Sequence, residues 1–205
     1  MKSPLLLVAL LALTATAAAQ STPTTESSGK PAKYKSDGKL PIDPESHLVT
    51  YASVVEVPGA TQDQLYTRAA SWIAGTATYH VASSKQLQEA TDKSQLTVNG
   101  ETQARGPMGQ VVGTVSHSLT IYCKDGRYKY VLTNLREETT DMRPTGTGSG
   151  GAFENEKPAC GTLHMFTGAW NTIKRHTDED VQDLVARLKI AMASTASSGK
   201  SPSDF

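Results

Sequence analysis

Little in this chain points to chemistry, and each shortage removes a class of function. With only two cysteines in 205 residues, any disulfide framework reduces to the single pair Cys123 and Cys160. Five histidines, His47, His80, His117, His164 and His176, show neither H-x-x-x-H spacing nor neighbouring cysteines, so no metal site is expected. Net charge is also missing. Twenty basic residues balance twenty acidic ones, whereas a nucleic-acid binder carries a basic excess or patch, so no nucleic-acid partner is expected. The apolar run Leu5 to Leu13 is too short to span a bilayer, which argues against stable membrane insertion.

That run instead reads as a secretory signal, with Lys2 before it and Ala17-Ala18-Ala19 as a small-residue cleavage site ahead of Gln20. No cysteine follows the site, so a lipoprotein anchor is not expected, and the reading is a periplasmic or secreted chain. Residues 20–46 are rich in Ser, Thr, Pro, Lys and Gly and read as a disordered lead-in. The expected domain spans 47–196, followed by a disordered tail over 197–205.

The firmest structural signal is Ser118 to Thr133, in which two alternating runs flank Asp125-Gly126. Such a dipeptide suits a two-residue type I′ hairpin turn. The register then sets Lys124 opposite Arg127, Cys123 opposite Tyr128, Tyr122 opposite Lys129, Ile121 opposite Tyr130 and Leu119 opposite Leu132. One face collects Leu119, Ile121, Cys123, Tyr128, Tyr130 and Leu132 as core; the other, with Thr120, Tyr122, Arg127, Lys129 and Val131, is wet.

Upstream, His47 to Val57 is β-rich and stops at Pro58-Gly59. Thr61 and Gln64 form a capping box for a helix running to Gly75, with Trp72 as a core anchor. Gln86 to Thr91 and Gln95 to Ala104 read as strands turning at Asp92-Lys93-Ser94, with a bulge near Gly100. Gln110 to Lys124 leads into the hairpin. A last helix is expected from Thr177 as N-cap, with Asp178, Glu179 and Asp180 as its solvated first turn and Val181, Leu184, Val185, Leu188 and Met192 on its apolar face.

The intervening insertion, 139–177, reads as irregular. Its run Gly146 to Gly151 lacks the strand before and the helix after that a phosphate loop needs, and is expected to be a flexible loop. Ser27-x-x-Lys30 and Ser197-x-x-Lys200 match an acyl-transfer pattern only in low-complexity tails. Glu137-Glu138 and the Asp178 run lack the spacing of a calcium loop. No catalytic residue and no cofactor are expected.

The segments V-E-V-P-G-A-T-Q-D-Q-L-Y-T-R-A-A-S-W-I, Val55 to Ile73, and K-D-G-R-Y-K-Y, Lys124 to Tyr130, resemble a bacterial domain of unknown function with a fold like the TATA-binding protein (TBP). The resemblance covers about Leu48 to Arg136 and the final helix. It implies an α+β fold of strand, helix, four-stranded antiparallel meander and helix, with both helices on one face of a curved sheet, in an exported protein of a Gram-negative bacterium. It carries over no active residues, because the matching positions are structural: Gly126 for the turn, Tyr128 and Tyr130 for packing, Pro58-Gly59 for the strand exit.

Three functions remain in competition. The leading one is a non-catalytic binding or structural-interaction domain that uses Thr120, Tyr122, Arg127 and Lys129 on its wet face, toward a protein or cell-envelope partner or a second copy of itself. The rivals are a carrier of a small apolar ligand, and a hydrolase or transferase with its site in the 139–177 loop and His164 or His176 as base. Cys123 and Cys160 are a candidate disulfide, with two free thiols the equally plain account. Cleavage after Ala19 is testable: the exported protein should have an intact mass starting at Gln20, and a mature start far from there, or a membrane-retained chain, would sink the secretory reading.

Overall fold

The computed structural model describes residues 34–78, 87–139 and 148–194. The signal segment, the far tail, both S-x-x-K matches and His80 lie outside the described residues. Six strands and two helices follow in the order β1 (Tyr51–Glu56), α1 (Gln62–Gly75), β2 (Leu87–Glu89), β3 (Gln95–Arg105), β4 (Val111–Lys124), β5 (Arg127–Thr139), β6 (Gly151–Ala152) and α2 (Thr167–Ala193). All pairings are antiparallel. The sheet order is β1-β5-β4-β3-β2, with β6 paired to the far part of β5. The helices bury Leu65, Ala69 and Ile73 from α1 and Trp170, Ile173, Val181, Leu184 and Leu188 from α2 against the core face of the sheet.

The β4–β5 hairpin has the register expected from its sequence, from Lys124 opposite Arg127 to Leu119 opposite Leu132. Leu119, Ile121, Cys123, Tyr128, Tyr130 and Leu132 are all buried. Only Gly126 of the turn pair has positive φ, at 75°, so the turn is not type I′. Its geometry answers to a neighbour. Gly126 donates to the Ala60 carbonyl at 2.8 Å, its own carbonyl accepts from Val57 at 2.7 Å, and the Asp125 carboxylate accepts from the Gln62 N–H at 2.7 Å. The hairpin tip is thus sewn to the β1–α1 connection, with an acid on the positive end of α1.

Alternation along β5 breaks once. Ser118 faces Thr133 but Ser116 faces Arg136, so β5 holds an extra residue. Asn134 takes that position at φ 59°, the left-handed conformation Asn tolerates better than most residues. Parity shifts there, which sends Leu135 and Glu137 to the core face. The bulge expected near Gly100 lies elsewhere: Gly100 pairs regularly with His117, and the β3 irregularity falls at Ala104/Arg105. The turn joining β2 to β3 is where Asp92, Lys93 and Ser94 place it, with Asp92 accepting from the Ser94 N–H at 3.0 Å. In α1 the capping box is formed, Thr61 accepting from Gln64 N and Gln64 returning to Thr61 N at 3.1 Å. Trp72 is only partly buried, at the margin of the core rather than its anchor.

The insertion and the last helix depart most from expectation. Helix α2 starts at Thr167, ten residues before the expected N-cap. Thr177 is 1% exposed and mid-helix, because the apolar stripe continues N-terminally through Ile173 to Trp170 and overrides the local capping signal. Gly150, expected in a flexible loop, is packed: a Cβ there would lie 2.4 Å from the Trp170 ring. Trp170 meets Phe153 edge-on at 5.3 Å and donates from Nε1 to the Asn155 carbonyl at 3.0 Å. Part of the insertion is therefore core. Glu137 is fully buried and accepts from Gly150 N at 2.5 Å, while Glu138 points outward near Arg136, so the two acids cannot share a calcium ion.

Cys123 and Cys160 are both free. Cys160 is bonded through Ser149 to Glu137, which pairs with Val115. Cys123 lies eight residue steps along β4 from Val115, about 26 Å of strand, whereas a disulfide needs Cα atoms within about 7 Å. Burial raises the Cys123 thiol to about 11.

The lead-in is also not wholly without structure. Asp43 caps a turn by accepting from Ser46 N at 2.8 Å, His47 reverses the chain at φ 58°, and Ile42 bridges Val49, so the first strand starts at Tyr51 instead of His47. Residues 34–50 form a strap pinned to α2. Asp178, expected in a solvated first turn, is 1% exposed and accepts from the Tyr51 hydroxyl at 2.8 Å and the Ser36 hydroxyl at 2.5 Å. Burial and this carboxylate together raise the Tyr51 phenol, and the charge of Asp178 raises that of Tyr34.

A hydrogen bond to a buried carboxylate contributes about 1.5 to 3 kcal/mol. Tyr51→Phe should therefore lower unfolding free energy by about 2 kcal/mol in urea titration; an unchanged midpoint and slope would show that the Tyr51–Asp178 bond does not fasten β1 to α2. A second outcome concerns His117, 3% exposed, whose imidazole burial depresses to about 4 from 6.5. The unfolded chain protonates first, so stability should be complete above pH 6.5 and fall by up to about 3 kcal/mol as pH drops toward 4. The measurement is urea stability across that range, and the same acid slope in His117→Gln would rule His117 out as its source.

Candidate functional site

Strand alternation and register write the open face as a grid. Across β1, β5, β4 and β3, one row reads Val54, Lys129, Tyr122, Gln95. Toward the hairpin tip the next row is Glu56, Arg127, Lys124. On the other side lie Ala52, Val131, Thr120 and Thr97. Directly opposed side chains have Cβ atoms about 4.5 to 5.5 Å apart, so each row is a contiguous strip. Val54 is 55% and Tyr122 39% exposed.

Lys124, Arg127, Tyr122, Lys129 and Val54 line a shallow concavity of about 440 Å³. Three of the four expected site residues, Tyr122, Arg127 and Lys129, are brought together there. Thr120 is not: it sits one row away, its hydroxyl 3.1 Å from that of Thr97, in a strand-to-strand contact. Val54 and Lys124 complete the concavity. Lys124 was legible as a wet-face residue, but Val54 was missed because nothing in the hairpin says which strand flanks β5.

Among the described residues, no ion pair takes up Lys124, Arg127 or Lys129. Glu56 is the one carboxylate in the grid rows around them, and Asp125, next to Lys124 in sequence, is held on the α1 N-terminus. Three cations thus stand against one acid in a chain whose total charge is zero. The patch can hold an anion beside an aromatic ring.

The rival sites are less well built. His176 sits 3.0 Å from the Arg105 carbonyl through Nδ1, with no bond to a carboxylate, and Arg105 is paired with Asp180 at 2.5 Å. Burial raises the Asp180 carboxyl despite that partner. His164 is exposed in the loop before α2. Two further concavities, of about 490 and 590 Å³, are surface clefts lined largely by polar and charged residues such as Glu154 and Lys174, or Glu101 and Arg187. The space between sheet and helices is filled by Trp170, Tyr128, Phe153 and aliphatic side chains. No described group of three or more His, Cys, Asp or Glu side chains is placed to hold a metal ion. No described helix is long and apolar enough to cross a membrane.

Comparison with known proteins places the fold. Residues 51–138 match the family model described as a domain of unknown function (DUF4468) with TBP-like fold. No curated protein matches the chain. Among solved structures, a DUF4468 family protein from Bacteroides ovatus is 15% identical with a TM-score of 0.53, over 79% of this chain and 94% of that one. A TBP-like protein from Parabacteroides distasonis is 12% identical with a TM-score of 0.50, over 78% of this chain and 96% of that one. At such identities the likeness concerns the fold alone. Together with the α+β arrangement of two helices on one face of an antiparallel sheet, the match over Tyr51 to Glu138 shows a TBP-like fold similar to that of the DUF4468 family.

Proposed function

We propose that this protein is an exported, non-catalytic binding module whose working surface is the open sheet face around Tyr122, Arg127 and Lys129, with Val54 and Lys124 completing it. One observation carries the reading: three unpaired cations and two exposed apolar side chains are gathered on a face that no described element covers, while the opposite face is filled core. Exposed cations next to one another repel, and an exposed Val and Tyr gain nothing from water, so the fold by itself does not need this arrangement. A bound partner supplies what is missing on both counts. The carrier reading would need an enclosed apolar cavity and the enzyme reading a base bonded to its orienting acid; the fold offers a packed interior and His176 on a carbonyl instead.

The test compares Tyr122→Ala combined with Lys129→Ala against wild type. Both side chains are exposed, so stability should stay within about 0.5 kcal/mol. Association of the full-length exported protein with its envelope partner, or with another copy, read by crosslinking and sedimentation, should fall at least about tenfold, as expected for a truncated anchor at the centre of a contact. Retention of every association by a folded double variant would remove this face as the binding surface.

A further inference from the structure

Charge and shape on the open face also limit what can occupy it, if that face is the binding surface. We propose that the occupant is a short acidic segment of a partner protein, with carboxylates meeting Lys124, Arg127 and Lys129 and an apolar or aromatic side chain laid on Val54 or Tyr122.

Three observations select this chemistry. Charge is the first: the two rows nearest the tip carry three cations and one acid, and among the described residues the cations have no salt-bridge partner. A second copy of the chain in a two-fold arrangement would set these cations against themselves. Extent is the second. Away from the tip the face continues through Thr120, Thr97, Ser118 and Asn99 to the row of Glu101, Ser116 and Arg136, so it presents hydroxyls and amides and then a cation that Glu138 takes up at 3.8 Å beside a second acid. A long uniform polyanion, whether nucleic acid or polyuronate, would leave the cations that lack an ion pair after two rows, about 7 Å apart along the strands, and run into Glu101 and Glu138. The third is the apolar pair. Val54 and Tyr122 flank Lys129 on either side in a single row, which fits one apolar side chain between acidic neighbours and has no counterpart in a phosphate backbone.

Asp125 is part of the design. Its carboxylate lies next in sequence to Lys124 and would neutralise the patch if it turned that way, but it accepts from Gln62 N at 2.7 Å on the helix side of the hairpin tip. The same turn that fixes the register therefore keeps the patch positive.

The experiment uses the full chain and a short fluorescent peptide of alternating glutamate and tyrosine, with fluorescence anisotropy as readout. At an ionic strength of about 0.01 M the peptide should bind, and at about 0.15 M, where the Debye length falls from about 30 Å to about 8 Å, binding should weaken markedly. Lys129→Glu should weaken it at least about tenfold, and Glu56→Gln, which removes the one opposing acid, should tighten it. Melting curves of both variants confirm that the fold persists. A lysine-tyrosine peptide, polygalacturonate and single-stranded poly(U) serve as competitors. The proposal is overturned if the acidic peptide fails to bind at low salt, if both charge variants bind as wild type does, or if either polyanion displaces the peptide at lower concentration than the peptide itself. Loss of partner association in the Tyr122→Ala, Lys129→Ala protein without any acidic-peptide binding would leave the surface standing and reject only this chemistry; retention of both would reject the surface.

Discussion

The pairing register of β4 with β5 is the constraint on which everything else rests. Side chains alternate with a period of two, so a one-residue slip of β5 along β4 would carry Tyr128, Tyr130 and Leu132 into water and draw Arg127 and Lys129 under the helices. The slip is blocked at both ends. At the tip, the Asp125-Gly126 turn is bonded to Val57, Ala60 and Gln62, so it cannot move without breaking the entry to α1. Farther along, Asn134 absorbs an extra residue in a left-handed conformation and resets the alternation so that Leu135 and Glu137 face inward.

Segments outside the sheet are fastened by buried acids as well as by apolar contacts. Asp178 holds the strap through Ser36 and the first strand through Tyr51; Glu137 holds the Gly148 to Gly151 turn through Gly150 N. Each carboxylate collects donors from a segment with few apolar side chains of its own to bury, and each would be costly to bury unpaired. This division explains why both segments read as unstructured. Their local composition is that of a loop, and their order is supplied by an acid distant in the chain, 142 residues away for Ser36 and Asp178.

The electrostatic character of the open face follows from the same economy of acids. The chain as a whole is neutral, yet a local excess of positive charge survives because Glu56 is the one acid in the two rows nearest the tip and Asp125, next to Lys124 in sequence, is committed to the start of α1. Charge balance over a chain says little about a patch of three strands, so a neutral composition is compatible with a local acidic contact.

The sequence by itself determined whatever depends on near neighbours. The hairpin and its register, the capping box at Thr61 and Gln64, the Asp92 turn and the two sets of hairpin faces all rest on residues within one turn or one cross-strand pair of each other, where side-chain period and turn chemistry act directly. Only the tertiary structure decided the rest. It extended α2 back to Thr167, because Trp170 finds its seat against Gly150 and Phe153, which local capping preference cannot anticipate. It set the bulge at Asn134, kept Cys123 and Cys160 at opposite ends of the sheet, and buried Asp178 under a strap that composition marks as disordered. It also joined Val54 to Tyr122 and Lys129, residues far apart in sequence that meet because β1 pairs with β5. In each case the deciding contact is between distant segments, and its free energy exceeds the small local preference it overrides.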